Sequence, residues 1–177
     1  MPAKTTYLQQ TDSLALKFSK APQKPVRIER VICMTPEFGA YLYTAVGGAW
    51  QWTERQSWTD DKWRDWYGMP GSETWVAYAD GAPTGFLELA PQPCDGGTLV
   101  EIANFGLVPG FIGQGIGGHL LSVGIHKAWS FRRRWPEFPA VQRVWLHTST
   151  DDSPVALPNF EARGFQIYHT EEPGRGR

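Results

Sequence analysis

The sequence predicts a single α/β domain built on a mixed β-sheet, and three observations lead to that fold class. Segments with the strand period of two alternate along the chain with segments that have the helical period of 3.6 residues. The connections include a short hairpin turn at 80–83 as well as longer crossovers, so both antiparallel and parallel neighbours are expected. A chain of 177 residues without a long linker favours one domain, with a core over about residues 26–170 and frayed termini.

The individual elements follow from local patterns along the chain. Apolar and charged residues alternate over 26–34, as in a half-buried strand, and Thr35 and Pro36 then begin a helix that ends at Gly47–Gly48. The remaining expected elements are a short helix from Trp58 onward, strands at 74–79, 85–89 and 99–108, a helix over about 117–131, a strand at 141–148, a helix capped by Ser153 and ending at Gly164, and a last strand at 165–170.

Charge and composition argue against several classes of function. The 17 Lys and Arg residues nearly balance the 18 Asp and Glu residues, which disfavours a nucleic-acid binder or a polybasic membrane protein. Cys33 and Cys94 have no metal-ligand spacing, so we expect no metal site. No apolar run has the length of a signal peptide or a membrane span, and we therefore expect a cytoplasmic protein without membrane partners.

A glycine-rich turn at 108–121 (VPGFIGQGIGGHLL) carries the most functional information. Five glycines lie within nine residues, between a predicted strand and a predicted helix. Backbone N–H groups at such a helix N-terminus can bind a phosphate, although the glycines also fit a tight turn that needs positive φ angles. The turn does not match a P-loop, because His119 stands where a Lys is required, and it lacks the spacing of a dinucleotide-binding turn.

Two sequence blocks resemble the GNAT superfamily of N-acetyltransferases. The acyl-CoA loop of that superfamily reads Gln/Arg-x-x-Gly-x-Gly/Ala after a strand that ends in Val-x-Pro or similar, and Gly115 and Gly117 occupy its glycine positions. The Gln/Arg position is Ile112 here, which is a departure from the pattern. The segment 156–165 (ALPNFEARGF) is similar to the late helix of the family, except that Phe160 replaces its usual tyrosine.

The resemblance implies a fold and a cosubstrate. The fold is a twisted, mostly antiparallel sheet flanked by helices and splayed between its fourth and fifth strands, and the cosubstrate is acetyl-CoA, with no metal. The backbone N–H of Leu107 or Val108 is expected to polarise the thioester carbonyl, and Asn159 to contact the pantetheine arm unless it faces solvent. The loop residues expected to bind CoA are Gly113, Gln114, Gly115, Ile116, Gly117 and Gly118.

Catalysis requires a neutral amine, and Glu101 is the candidate general base, with a chain of water molecules as its main rival. Strand alternation places Glu101 on the same face as Phe105 and Leu107, unless a bulge changes the register. Phe160 has no ionisable proton, so protonation of the leaving thiolate passes to another group, to water, or to nothing.

The nine tryptophans fit either a core of large rings or an aromatic pocket. Five of the nine crowd the two early helices and the connection between them, which form much of the acceptor wall in the family: Trp50, Trp52, Trp58, Trp63 and Trp66. We expect Tyr43, Trp50 and Trp52 to line the acceptor pocket. The predicted activity is direct acetyl transfer, in a ternary complex, from acetyl-CoA to a primary amine of a small molecule or an amino-acid-like acceptor. Acetylation of a protein or peptide, or CoA binding with little catalysis, remains an alternative. Because dimers are common in the superfamily, a homodimer also remains open.

Overall fold

A seven-stranded mixed sheet forms the centre of the protein. The structure is a computed structural model and describes residues 3–172. The strands are β1 (Thr5–Gln10), β2 (Arg27–Val31), β3 (Glu73–Ala79), β4 (Ala82–Cys94), β5 (Gly97–Leu107), β6 (Val141–Ser149) and β7 (Gln166–Glu171). The helices are α1 (Pro36–Gly47), α2 (Asp60–Gly68), α3 (Ile116–Trp129) and α4 (Ala156–Ala162). In space the strands run in the order β2-β3-β4-β5-β6-β1-β7.

The first strand, β1, corrects the prediction that the ordered core begins near residue 26. It lies inside the sheet, paired with both β6 and β7, and the side chain of Leu8 is fully buried. Its inward-facing side chains are Thr6, Leu8 and Gln10, so only one of three is apolar and the strand pattern is weak. The predicted fraying of the C-terminal tail mostly concerns residues 173–177, which lie outside the described part of the chain.

The helix starts follow local capping chemistry. The side chain of Thr35 accepts a 3.2 Å hydrogen bond from the Phe38 amide, and Thr59 caps α2 in the same way. Helix α2 therefore begins at Asp60, two residues after the predicted start at Trp58. The predicted cap at Ser153 is wrong, because α4 begins after Val155 without a side-chain cap. Instead, the chain forms a turn just before α4, in which the Ala156 amide donates a hydrogen bond to the Ser153 carbonyl.

The helices pack on both faces of the sheet. On one face, α3 and α4 cover the larger core, in which Leu120, Leu121 and Ile125 of α3 are fully buried. On the other face, α1 contributes Leu42 and Val46 to a smaller cluster. Among residues 3–172, no helix combines the length and apolar character that a membrane span requires.

The sheet splays open between β5 and β6, as the resemblance implied for the fourth and fifth predicted strands. These two strands form the parallel pair of the sheet, and their register runs from Thr98 opposite Val141 to Glu101 opposite Trp145. Both strands continue past this point, to Leu107 and Ser149, without further mutual pairing among the described residues. The backbone groups of β5 that face β6 are therefore exposed to the resulting gap.

Candidate active site

A cleft of about 560 Å³ occupies the gap between β5 and β6 and connects the two faces of the sheet. Segments from both helical layers line it: the connection between α1 and α2, the glycine-rich turn before α3, and the loop and helix that follow β6. A volume of this size is within the range of small-molecule sites. The cleft thus lies where β5 and β6 cease to pair.

A bulge in β5 decides which side chains face each half of the cleft. Glu88 of β4 pairs with Asn104, but Leu89 pairs with Ile102, so Ala103 is an extra residue in β5. Ile102 and Phe105 consequently both pack toward the large core, although they are three residues apart. The alternation that placed Glu101 on the same face as Phe105 and Leu107 is wrong, because the bulge turns Glu101 to the α1–α2 face.

The glycine-rich turn presents a helix N-terminus to the cleft. Gly113 and Gly115 have φ angles of 85° and 79°, which favour glycine, and Gly115 is the N-cap of α3 without a side-chain hydrogen bond. The first amides of α3 therefore have no cap from a side chain and are available to an anion. The predicted contact residues Gly113, Gly115, Gly117 and Gly118 line the cleft.

Two other predicted loop residues have different roles. The side-chain amide of Gln114 donates a 3.2 Å hydrogen bond to the Gly110 carbonyl, so it is turned back on its own loop. The side chain of Ile116 is fully buried in the core, where it anchors the first turn of α3. Any contact that these two residues make with a ligand is expected through their backbone.

The backbone hydrogen bonds of β5 distinguish the two candidate oxyanion donors. The Val108 amide donates a 2.9 Å bond to the Thr84 carbonyl and is therefore engaged with the neighbouring chain. Because amide directions alternate along an antiparallel strand, the Leu107 amide is directed away from β4 and toward the gap. Of the two predicted donors, Leu107 is therefore the one whose amide faces the cleft.

The late helix places Asn159 and Phe160 at the cleft, as expected from the resemblance. The side-chain nitrogen Nδ2 of Asn159 lies 3.9 Å from the position that a Cβ on Gly117 would take, so α4 approaches the first turn of α3 at this point. The Phe160 ring is 5% exposed and packs edge-on against Phe105, with ring centroids 5.8 Å apart. The residue at the usual tyrosine position is thus a packing residue that has no proton to donate.

Glu101 lies beside the cleft on the α1–α2 face. Its carboxylate accepts a 3.0 Å hydrogen bond from Gln92 Nε2, and its Oε1 is 3.8 Å from Nδ1 of His147, which itself lines the cleft. Burial raises the pKa of Glu101, an effect that His147 and Arg55 partly offset. Sequence reasoning identified the glutamate but did not pair it with His147, since the two residues lie on different strands.

The aromatic residues separate into two groups. Tyr43, Trp50 and Trp52, which the sequence analysis expects at the acceptor pocket, lie in the lining of the cleft. The rings of three further tryptophans surround the Arg55 guanidinium instead, at 4.6, 5.8 and 4.3 Å from its Cζ for Trp58, Trp63 and Trp66 respectively. The crowding of rings in this segment therefore reflects both a pocket and a structural cluster.

Arg55 also forms a buried ion pair that sequence reasoning missed. Its Nη1 donates to Glu88 Oε2 at 2.8 Å, and Glu88 also accepts a 2.7 Å hydrogen bond from Asn104, next to the β5 bulge. The two charged side chains are 8% and 1% exposed. This network ties the connection between α1 and α2 to the bulge in β5, and a lone arginine in a polar loop gave no sequence signal for it.

A second link joins the two walls of the cleft. Trp52 Nε1 donates a 3.2 Å hydrogen bond to Asp152 Oδ1 in the loop after β6. The other oxygen of Asp152 accepts from the Thr148 hydroxyl at 2.7 Å and from the Ser149 amide at 2.8 Å. Within residues 3–172, no group of three or more His, Cys, Asp or Glu side chains is arranged to hold a metal ion.

Comparisons with known proteins agree with this architecture. The family model described as the acetyltransferase (GNAT) family matches residues 40–165. No curated protein gave a significant match to the sequence.

Several solved structures share the fold at low sequence identity. A tandem GNAT protein from the clavulanic acid biosynthesis pathway superposes with a TM-score of 0.63 at 18% identity, over 100% of this chain and 55% of that one. A GCN5-related N-acetyltransferase from Kribbella flavida gives a TM-score of 0.61 at 18% identity, over 96% of this chain and 58% of the other. An aminoglycoside acetyltransferase from an uncultured soil metagenomic sample, in complex with trehalose, gives 0.59 at 16% identity, over 78% and 86%. The chain thus spans between half and three fifths of the length of the first two.

Proposed function

Because the chain belongs to the acetyltransferase (GNAT) family, we propose that it transfers an acetyl group from acetyl-CoA to a primary amine of a small molecule. The observation that carries the proposal is the gap between β5 and β6, where the Leu107 amide and the glycine-rich turn face one cleft. Acetyl-CoA supplies the activated acetyl group when bound.

The glycine-rich turn fits the phosphates of CoA. The positive φ angles of Gly113 and Gly115 keep side chains out of the loop, and α3 begins there with amides that no side chain caps. Those amides carry the partial positive charge of the helix N-terminus, which stabilises an anion. The exposed edge of β5 fits the amides of the pantetheine arm as an added strand would.

The Leu107 amide is the expected donor to the thioester carbonyl. As the amine attacks, negative charge develops on the carbonyl oxygen, and a fixed N–H directed at that oxygen stabilises it. Val46 and Trp52 pack across Gly106, which holds this part of β5 against α1. The donor therefore belongs to a rigid strand, so no reorganisation is needed when charge develops.

Glu101 is the proposed general base, with His147 between it and the cleft. An alkylammonium cannot attack, so its proton has to be removed before or during the reaction. Glu101 lies outside the cleft lining while His147 is part of it, and the two are 3.8 Å apart. We therefore assign proton transfer from the amine to the pair, directly or through one water molecule.

The acceptor half of the cleft has the character expected for a cationic amine. Glu54, Asp151 and Asp152 line it beside the rings of Trp50 and Trp52, and the charge of the neighbouring Arg55 is balanced by Glu88. Carboxylates and aromatic faces both attract ammonium groups. On the other side of the gap, Phe160 donates no proton, so the thiolate of CoA leaves without a side-chain acid at that position.

The test is the acceptor-dependent release of CoA thiol from acetyl-CoA with a panel of primary amines, combined with calorimetric binding of acetyl-CoA. Release with at least one amine, together with a large loss of rate in Glu101→Gln, supports the proposal. Release that needs a peptide supports the alternative of peptide acetylation. Tight acetyl-CoA binding without thiol release for any amine or peptide would indicate a CoA-binding protein with little catalysis. Phe160 and Ile112, which depart from the pattern of the family, are the residues that favour this alternative.

A further inference from the structure

We propose that Arg163 binds a phosphate of CoA at the first turn of α3 and supplies the positive charge that the glycine-rich loop lacks. The proposal rests on the proposed use of acetyl-CoA and adds a binding residue to that site. Arg163 directly follows α4, so the charge would reach the loop from a different element of the fold.

The position of the guanidinium carries the argument. Nη1 of Arg163 is 2.9 Å from the point that a Cβ on Gly118 would occupy, so it lies directly against the first turn of α3. Asn159, four residues earlier, approaches Gly117 in the same turn. Residues four apart share one face of a helix, and this face of α4 therefore adjoins the helix N-terminus that faces the cleft.

The charge of Arg163 is not balanced by a carboxylate. Its Nε is buried and has no hydrogen-bond partner, and none of the ion pairs within residues 3–172 involves it. Two other partly or fully buried arginines have carboxylate partners, since Arg55 pairs with Glu88 and Arg134 with Glu73. Arg143 resembles Arg163 in that its Nε is buried without a hydrogen-bond partner, but it lies on β6. A partly buried guanidinium without a counterion is unfavourable, and a phosphate at α3 would balance it.

The loop itself has no cationic or free polar side chain for this purpose. Ile112 occupies the position at which the resemblance expects Gln or Arg, and the Gln114 amide is bonded to the Gly110 carbonyl. Residues 107–118 contain no Lys or Arg. Backbone amides and the helix dipole supply only partial charges, and Arg163 adds a full one within reach of the same turn.

The test compares ligands that differ only in their phosphates. Dissociation constants of acetyl-CoA, 3′-dephospho-acetyl-CoA and acetyl-pantetheine are measured by calorimetry for the wild type, Arg163→Gln and Arg163→Lys. We expect Arg163→Gln to weaken acetyl-CoA binding about tenfold or more, as for a lost charge-assisted hydrogen bond, and to leave acetyl-pantetheine binding unchanged. Arg163→Lys is expected to restore part of the affinity. The dephospho ligand shows whether the contact is to the 3′-phosphate or to the pyrophosphate.

Arg143→Gln is the matched control. Arg143 also has a buried Nε without a partner, but it lies on β6 and packs over Tyr168, away from α3. Thermal unfolding checks that each variant is folded. Equal affinity of wild type and Arg163→Gln for acetyl-CoA, or an equal loss for acetyl-pantetheine, overturns the role of Arg163 alone. A wild type that binds neither ligand overturns the proposed function as well.

Discussion

The indole N–H of Trp52 donates a 3.2 Å hydrogen bond to the carboxylate of Asp152, 100 residues later in the chain. Trp52 belongs to the connection between α1 and α2, whereas Asp152 belongs to the loop after β6. The bond therefore spans the gap between the two halves of the sheet. Two further donors, the Thr148 hydroxyl and the Ser149 amide, hold Asp152 in place. This hydrogen bond thus joins the two walls of the cleft on the side proposed to bind the acceptor.

Trp52→Phe should loosen this link while it keeps most of the ring packing against Tyr43 and Phe86. We expect the KM for the amine acceptor to rise more than kcat falls, because the wall of the acceptor site is less well ordered. The free energy of unfolding should fall by about 1 kcal/mol, the usual net contribution of one hydrogen bond. Steady-state kinetics and urea denaturation measure the two effects.

The control for this variant is Trp50→Phe. Trp50 lines the same cleft, but Asp152 accepts its bond from Trp52. If both variants change KM equally, the effect belongs to ring size in the pocket, and the cross-cleft bond has no separate role. A double-mutant cycle with Asp152→Ala isolates the coupling between the two residues.

Glu101→Gln should change the pH dependence of the reaction. The base acts as a carboxylate, and burial raises the pKa of Glu101 above its ordinary value of 4.5. The rate of the wild type should therefore fall as the pH drops through this raised pKa, and Glu101→Gln should remove that limb of the profile along with most of the rate. Measurements of kcat/KM between pH 5 and 9 test this; a limb that persists in the variant excludes Glu101 as the base.

The stability of the same variant provides an independent check. A raised pKa means that the folded protein binds the Glu101 proton more tightly than the unfolded chain does. The corresponding stability is fully present below the ordinary pKa of 4.5 and is lost as the pH rises through the folded-state pKa. At pH 7 to 8, Glu101→Gln should therefore unfold no more easily than the wild type, and its advantage should shrink as the solution is acidified. Urea denaturation at several pH values measures the difference.

The sequence was sufficient for elements whose local pattern is strong. Helix α1 has both a Thr35 cap and a following proline, and its predicted start and end agree with the structure. Strand β1 was missed because its buried side chains include Thr6 and Gln10, which the surrounding sheet accommodates. Gln10 is satisfied there by the Arg163 carbonyl and the Trp129 indole, both distant in sequence. Tertiary contacts therefore override the local pattern at this strand.

The candidate site was also predictable from the sequence only in part. The glycine-rich turn could be predicted because a positive φ angle favours glycine, and the sequence has glycine at both such positions, Gly113 and Gly115. The face of Glu101 depended on whether β5 contains a bulge, and the sequence at Ala103 does not distinguish a bulge from regular alternation. The pairing of Arg55 with Glu88 and of Trp52 with Asp152 joins residues from separate segments, and no spacing rule connects them.

Arg55→Met should be strongly destabilising. The substitution leaves the Glu88 carboxylate, which is 1% exposed, without its cationic partner, and breaking a buried ion pair in this way costs about 3–5 kcal/mol. The same change removes the cation from the rings of Trp58 and Trp66. The free energy of unfolding from urea denaturation measures the loss.

The compensating variant is Arg55→Met combined with Glu88→Gln. A glutamine at 88 is neutral, and its carbonyl oxygen can still accept the hydrogen bond from Asn104. We expect the double variant to be more stable than Arg55→Met alone, because no isolated charge remains buried. Equal stability of the single and double variants would show that water reaches Glu88 once Arg55 is removed.

Gly115→Ala tests whether the glycine turn serves the ligand or only the fold. The φ angle of 79° costs an alanine about 1–2 kcal/mol, and the new Cβ would lie 3.3 Å from Cα of Pro22 in the segment that crosses the loop. Gly110→Ala is the matched control, because a Cβ there meets nothing within 4 Å. We expect Gly115→Ala to lower both the stability and the acetyl-CoA affinity, and Gly110→Ala to leave the affinity unchanged. If Gly115→Ala lowers the stability but binds acetyl-CoA as tightly as the wild type, the positive φ angle is needed for the turn alone. The amides at the start of α3 would then keep their orientation toward a phosphate without a glycine at position 115.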